Sequence, residues 1–231
     1  MKISACLIAL NEENFIELSL RSLIQAPVDE IIVVDGGSTD RTLEIIDSLN
    51  SQKIKVFHNK WNGNYSDQRN FALKQATGEW ILQLDCDEVL SDNSFLLKEY
   101  AKKTFIDWFD IKYEHFIYSL NTVDNTLETH FGLRRFFRNY SDVRYAGKMH
   151  ELANTPRFRN AGIISDVIVF HLGYLKGIRT IMDKYEKNIL DSPIHDKEFL
   201  DKWKNELIMG TYPTRKFTGE FPFLLKRFFK I

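Results

Sequence analysis

Cysteine is scarce in this chain: Cys6 and Cys86 are the only two among 231 residues. Both sit in or beside apolar runs, so no disulfide framework is expected, in keeping with a reducing compartment. Long hydrophobic runs are missing too, and no stretch has the length of a transmembrane helix. Signal-peptide character is absent: Met1-Lys2 leads straight into a strand-like segment that Asn11 and Glu12 interrupt. A cytoplasmic location is therefore the expectation. Nor is there an excess of charge. Lys and Arg number 31 against 32 Asp and Glu, a formal net charge of −1. That balance removes the global footprint of a nucleic-acid-binding protein, and no nucleic-acid partner is expected. Internal repeats and low-complexity linkers are also lacking. What remains is 44% hydrophobic, which argues against disorder. The length suits one enlarged α/β domain with a substantial core.

Trp80-Ile81-Leu82-Gln83-Leu84 is a short apolar run after Gly78, with the length and boundary of a buried strand. It stops at Asp85-Cys86-Asp87-Glu88. Carboxylates gathered this closely in a fold are costly without a cation beside them. Oxygen donors suit a hard divalent ion, Mg²⁺ or Mn²⁺, of the kind that also holds a substrate phosphate. Asp-x-Asp alone is common, and a solvated acidic turn after a strand reads the same way. A thiolate matches a hard cation poorly, so Cys86 reads as a space-filling side chain.

Upstream, Lys2–Leu10 is another apolar run, stopping at Asn11-Glu12-Glu13-Asn14. Phe15, Ile16, Leu18, Leu20, Leu23 and Ile24 follow at near-helical spacing. Ile31–Val34 ends in Asp35-Gly36-Gly37-Ser38-Thr39-Asp40, and Leu43, Ile45, Ile46 and Leu49 predict a second helix. A third strand fits Ile54–Phe57, a third helix Ser66–Gln75, and Leu84 closes a fourth strand. This alternation predicts an α/β fold with a mainly parallel sheet covered by helices. Ligands on such sheets lie beyond the carboxyl ends of the strands. Asn11, Asp35 and Asp85 fall at three such ends and point to one crevice. There the Asp35 carboxylate can accept hydrogen bonds from a base or ribose. Gly36 and Gly37 permit a tight turn and close approach of a ligand. Asp40 is either the cap of the second helix or a ligand contact. Arg69 either offsets phosphate charge with its forked donors or is a surface helix charge.

In Ala9-Leu10-Asn11-Glu12, Val33–Asp40, Gln68-Arg69-Asn70 and Leu84-Asp85-Cys86-Asp87 the chain resembles the family 2 glycosyltransferases. The resemblance is strong over roughly the first 90 residues and continues in pieces to about residue 175. Motifs in a fixed order are more specific than any one of them. The resemblance implies a GT-A fold, with a Rossmann-like, mainly parallel central sheet flanked by helices. It implies transfer of a sugar from a nucleotide-diphosphate sugar to an acceptor hydroxyl, by an inverting displacement dependent on Mn²⁺ or Mg²⁺. Leu10, Asn11, Glu12, Asp35, Gly37, Arg69 and Asp85 are then donor-binding residues. Asp35 would meet the nucleotide base, and Asp85 the ribose or a metal-bound water. Asp87 becomes the direct metal ligand, with Asp85 assisting and Glu88 adding negative potential.

The second half supplies the remaining chemistry. Gly147-Lys148-Met149-His150-Glu151 resembles the His-Glu segment of a subset of these transferases. Inverting transfer needs a carboxylate to take the acceptor's proton. Glu151 is the candidate base, with Asp142 and Glu114 as alternatives; an exposed loop acid is its plainer reading. His150 would orient a phosphate or the acceptor. His171 follows a predicted strand over Val167–Phe170. Imidazole suits Mn²⁺ beside carboxylates, and the resemblance includes a histidine here that completes the metal site. Lys176, Arg179 and Lys184 either partner a diphosphate or form the solvated face of a helix. Arg134, Arg135 and Arg138 alternate with Phe136 and Phe137, as in a partly buried strand with basic groups near an anionic substrate.

The expected division is a catalytic domain over residues 1–175 and a helical extension over 176–231. Within the domain, residues 1–90 or so form the nucleotide-sugar half and 91–175 the acceptor and metal half. The extension carries predicted helices over Ile178–Asn188 and Lys197–Met209, then a tail of alternating apolar and cationic residues after Pro213. The tail either lies on an anionic membrane surface, or docks Phe221, Phe223, Leu224 and Phe228 on the domain or on a second subunit of a homodimer. The acceptor would be a glycan, a lipid-linked molecule or a protein. Two rival readings stand beside transfer. Asp85-Cys86-Asp87-Glu88-Val89 also fits the D-x-D-x-V of haloacid-dehalogenase-like phosphatases, with Asp85 as nucleophile, although that leaves the Asn11 and Asp35 motifs unexplained. The other rival is a noncatalytic nucleotide-sugar-binding module on the same scaffold.

Overall fold

The computed structural model describes residues 1–126, 134–147, 151–177, 180, 182 and 197–231. In chain order its elements are β1 (Ile3–Ala9), α1 (Ile16–Gln25), β2 (Glu30–Asp35), α2 (Thr42–Ser48), β3 (Ile54–His58), α3 (Tyr65–Gln75), β4 (Trp80–Gln83) and β5 (Glu88–Leu90). There follow α4 (Leu97–Ala101), β6 (Trp108–His115), β7 (Thr122–Asp124), β8 (Phe136–Arg138), β9 (Arg144–Ala146), β10 (Leu152–Asn154) and β11 (Ala161–His171). The last elements are α5 (Lys197–Met209), β12 (Thr214–Lys216) and α6 (Phe223–Phe229). His150 and most of the helix predicted over 178–188, with Arg179 and Lys184, lie outside the described residues.

Eight strands form one sheet in the order β3-β2-β1-β4-β8-β6-β11-β5. The run from β3 to β4 is parallel, as is the β6–β11 pair. β8 and β5 run against their neighbours. The parallel portion is the portion the apolar periodicity predicts. β1 and β2 are buried on both faces, which is why each reads as a continuous apolar run rather than an alternating one. α1 presses Ile16, Leu18, Leu20 and Leu23 into the core. α3 starts at Asn64, whose side chain caps the helix by accepting from the Asp67 amide at 3.3 Å. Beneath the sheet's middle, Trp80 stacks on Phe136 with ring centroids 4.6 Å apart.

The carboxyl-terminal segment is built into the same body. β12 pairs antiparallel with β7, and Phe217 and Leu225 join Phe15, Leu18, Val89 and Phe116 in one apolar cluster. Phe221, Leu224 and Phe229 pack against it. Phe223 and Phe228 stay outside, 61% and 45% exposed. Among the described residues no helix is long and apolar enough to cross a membrane.

Candidate functional site

The loops that follow β1 and β2 are knitted into one unit at the carboxyl edge of the sheet. Asn11 takes left-handed backbone at φ 56°. Its side-chain oxygen accepts from the Thr39 amide at 2.8 Å, and its own amide donates to Ser38 Oγ at 3.0 Å. Asp40 accepts from the Thr42 amide at 3.0 Å and the Glu13 amide at 3.1 Å, tying the loop after β1 to the start of α2, whose N-cap residue is Arg41. Asp35 is buried and serves this same loop. Its carboxylate accepts from the Gly37 amide at 2.9 Å and the Ser38 amide at 3.1 Å. Gly37 reaches that geometry at φ 104°, where a side chain would be strained.

The acids sit on the turn from β4 to β5. The Asp85 amide donates to Glu88 Oε2 at 2.8 Å. Each Asp85 carboxylate oxygen receives a guanidinium: Arg69 Nη2 at 2.9 Å and Arg135 Nη2 at 3.1 Å. Arg135 Nη2 also lies 3.1 Å from Glu88 Oε1. Burial would raise the Asp85 carboxyl, but the two arginines outweigh it and hold it well below the usual carboxylate range. At Glu88 burial wins over Arg135 and pushes the carboxyl up to about 8. Arg69 Nε meets Glu151, so one buried arginine joins the motif acid to the candidate base. The other arginines of the basic strand turn elsewhere, Arg138 to the Ile106 carbonyl at 2.9 Å and Arg134 to the Ala153 carbonyl at 3.1 Å. Of the alternative bases, Asp142 pairs with Arg157 at 3.3 Å and Glu114 with Arg215 at 2.5 Å.

Asp87 faces different company. His171 Nε2 lies 3.6 Å from its Oδ1, and Lys176 Nζ lies 2.9 Å from its Oδ2. Lys176 reaches Glu12 as well. Gly173 passes beside this group: a Cβ there would lie 2.7 Å from both Asp87 Oδ2 and His171 Nε2. Carboxylate and imidazole around a space that only glycine leaves open fit a divalent cation. Cys86 does not belong to that set. Burial pushes its thiol up, and its Sγ donates to the Ile8 carbonyl at 3.2 Å. Among the described residues no three His, Cys, Asp or Glu side chains group as a metal cluster.

A cavity of about 510 Å³ opens over these groups, within the usual range for small-molecule sites. Leu10, Asn11, Glu12, Arg69, Asp85, Asp87 and His171 all line it. Asp35 and Gly37 do not, and Gly36 takes their place in the wall. Glu151, its side chain 5% exposed, is held on Arg69 and does not line the cavity. Trp61 and Tyr65 also line it, meeting edge to face at 4.7 Å, and Trp61 lies beside Gly36. The sequence reading passed over both. Their signal was an aromatic on either side of Gly63, just ahead of Gln68-Arg69-Asn70.

The description of Glycosyl transferase family 2 matches residues 4–182. The chain belongs to glycosyl transferase family 2. The SPbeta prophage-derived glycosyltransferase SunS of Bacillus subtilis (strain 168) is 30% identical over 189 residues, covering 81% of this chain and 43% of SunS. The lipopolysaccharide core biosynthesis glycosyltransferase LpsC of Rhizobium meliloti (strain 1021) is 36% identical over 92 residues, 39% of this chain and 33% of LpsC. This family 2 chain thus spans under half the length of these curated relatives. The crystal structure of S. aureus TarS matches with a TM-score of 0.57 at 22% identity, covering 91% of this chain and 43% of TarS. TarS 1–349 in complex with UDP-GlcNAc matches at 0.56 and 21% identity, covering 91% of this chain and 71% of that one. The fold is GT-A, as in these neighbours. Family 2 membership sets aside the phosphatase reading of Asp85, whose carboxylate oxygens are in any case both engaged by arginines.

Proposed function

We propose that this family 2 member transfers a sugar from a nucleotide-diphosphate sugar to an acceptor hydroxyl with inversion. The observation that carries the reading is one cavity whose wall holds two unlike groups. Asp87, His171, Lys176 and Glu12 make up one; Leu10, Gly36, Trp61 and Tyr65 make up the other. A charged diphosphate suits the first group and a flat base the second. Asp87 and His171 would hold a divalent cation, which when bound offsets the charge of a leaving diphosphate. Lys176 adds a fixed positive charge beside it. Asp85, 30% exposed and fixed by two arginines, presents its carboxylate to the donor's ribose. Glu151 takes the acceptor's proton as the acceptor oxygen bonds to the anomeric carbon. The bond from that carbon to the diphosphate breaks, and the nucleoside diphosphate leaves. The glycan context of LpsC and the UDP-GlcNAc bound by TarS support a UDP-sugar donor and a glycan or lipid-linked acceptor. The outward face of α6, with Lys226, Arg227 and Phe223, would meet an anionic lipid surface that presents such an acceptor.

The test is donor binding and Mn²⁺-dependent hydrolysis across UDP-, GDP-, dTDP- and CMP-sugars, with Asp87→Ala as the control. One nucleotide class should bind and be released by the parent, and release should fall at least a hundredfold in the variant. Release from the variant at the parent's rate would remove Asp87 from the reaction. Donor binding with no transfer to any acceptor would return the reading to a binding module.

A further inference from the structure

Gln68-Arg69-Asn70 places only its first two residues in the cavity wall. The Asn70 side chain instead meets the main chain of a single distant residue. Its Nδ2 donates to the Tyr145 carbonyl at 2.9 Å, and its Oδ1 accepts from the Tyr145 amide at 2.8 Å. A side-chain amide carries the donor and the acceptor of a peptide group, so Asn70 engages β9 as a residue of a neighbouring strand would. Ser66 lies one turn earlier, and its hydroxyl donates to the Gly147 carbonyl. Ser66, Arg69 and Asn70 stand at i, i+3 and i+4, on one face of α3.

That face holds the segment that carries Glu151. β9 pairs antiparallel with β10, with Ala146 opposite Leu152 and Tyr145 opposite Ala153. The pair stands apart from the eight-stranded sheet, so no ladder of that sheet sets where it lies. Arg134 holds the Ala153 carbonyl at 3.1 Å, and the Tyr145 hydroxyl lies 3.3 Å from Gln83 Oε1. Val143, Tyr145 and Ala153 also join an apolar cluster with Ala72 and Phe137. Apolar contact has no direction of its own, whereas two bonds to one residue's main chain fix β9 along its length. Glu151 adjoins Leu152 and rests on Arg69 Nε. Arg69 and Asn70 are consecutive, so one turn of α3 holds both the acid and the strand pair that delivers it. We propose that Asn70 is a positioning residue: by clamping Tyr145 it seats the β9–β10 pair on α3 so that Glu151 meets Arg69. The role rests on the reading of Glu151 as the base, and it gives the last residue of the motif a function.

The test is a cycle of variants with two readouts. Asn70→Leu keeps the size of the side chain and removes both bonds. Hydrogen exchange at the amides of Arg144–Ala146 and Leu152–Asn154 should quicken roughly tenfold or more, while β1 and β2 exchange as in the parent. Donor hydrolysis, in which water takes the acceptor's place, is read with the nucleotide sugar that the parent turns over. Its kcat should fall roughly a hundredfold in Asn70→Leu, with the donor dissociation constant within about twofold of the parent's. Added to Glu151→Gln, the same change should cost little more, because a base already removed cannot be misplaced. Ser66→Ala removes one bond to the same segment and should act in the same direction more mildly; it stands in if Asn70→Leu folds poorly. Unchanged exchange in both strands overturns the proposal. So does an equal fall in rate from Asn70→Leu with and without Glu151→Gln, the pattern of a residue that only supports the fold. If Glu151→Gln keeps the parent's rate, the base reading falls while family function stands, and exchange alone decides whether Asn70 seats the strand pair.

Discussion

Arg69 joins the two chemical halves of the site through a single guanidinium. Its Nη2 donates to Asp85 at 2.9 Å and its Nε to Glu151, while it is itself only 7% exposed. Burial alone would lower its pKa, and the two carboxylates more than reverse that. Removing either acid would leave a buried charge short of a partner, so the informative changes here keep shape and alter charge. Glu151→Gln keeps an oxygen for Arg69 and removes the proposed proton acceptor. Transfer should drop about 10²- to 10⁴-fold while the donor dissociation constant stays within about twofold. Measured side by side, a near-normal rate would assign the proton transfer to another group. At this scale the sequence was informative about residue type and less so about direction. Asp85 and Asp87 read alike in the motif, yet one meets two arginines and the other a histidine and a lysine. Arg135 read as one of three basic groups near an anionic substrate, and its guanidinium lies against Asp85 and Glu88. Such choices depend on which strands become neighbours, and Arg135, just ahead of β8, lies 50 residues from Asp85 and 47 from Glu88.

The elements read most easily were those whose signal is local. β1, β2 and β4, with α1 and α3, fall within a residue or two of the apolar runs that predict them, because two-sided burial leaves continuous hydrophobic segments. The devices that fasten them were not legible, since they pair residues far apart. Glu30 at the head of β2 is the main example, at the end of the sheet away from the cavity. Its carboxylate accepts from Ser4 Oγ of β1 at 2.6 Å, from the Thr77 amide ahead of β4 at 2.7 Å, and from Lys55 Nζ of β3 at 2.6 Å. Burial would raise this carboxyl, but Lys55, Ser4 and Thr77 together hold it at about 2, against an ordinary value of 4.5. A carboxyl depressed in the folded state stabilises above its unfolded pKa and loses that contribution as pH falls toward its folded one. Stability should therefore decline between about pH 4.5 and pH 2 in the parent, and this acid-side slope should flatten in Glu30→Gln. Denaturant midpoints taken across that range give the comparison. Parallel curves for the two proteins would show that Glu30 does not carry the acid sensitivity.

At the scale of the whole molecule, charge is distributed unevenly. The chain carries a formal net charge of −1, yet Thr214–Ile231 holds five Lys and Arg against one Glu. That asymmetry could be read from the sequence, whereas the seat of the tail could not, because its partners Phe15 and Phe116 lie some hundred or more residues away. Docking settles which face of α6 is spent. Leu225 is buried and Leu224 and Phe229 pack on the cluster, so Phe223, Lys226 and Arg227, spaced as neighbours on a helix face, point outward. The cluster includes Phe15, whose ring lies 6.0 Å from Lys176 Nζ, so the cluster on which α6 docks reaches a residue of the cavity wall. An exposed aromatic flanked by cations suits the headgroup region of an anionic bilayer, where each basic residue near the surface contributes about 1 kcal/mol. Sedimentation with vesicles of mixed phosphatidylcholine and phosphatidylglycerol should pull the protein down, and vesicles of phosphatidylcholine alone should not. Replacing Lys226, Arg227 and Lys230 together by Ala should weaken that binding roughly a hundredfold and leave donor affinity unchanged, since none of the three lines the cavity. Equal binding to neutral and anionic vesicles, or none to either, would mean that this face meets something other than a charged lipid surface. A concentration-dependent rise in mass abolished by Phe223→Ser would then identify a second copy of the chain as its partner.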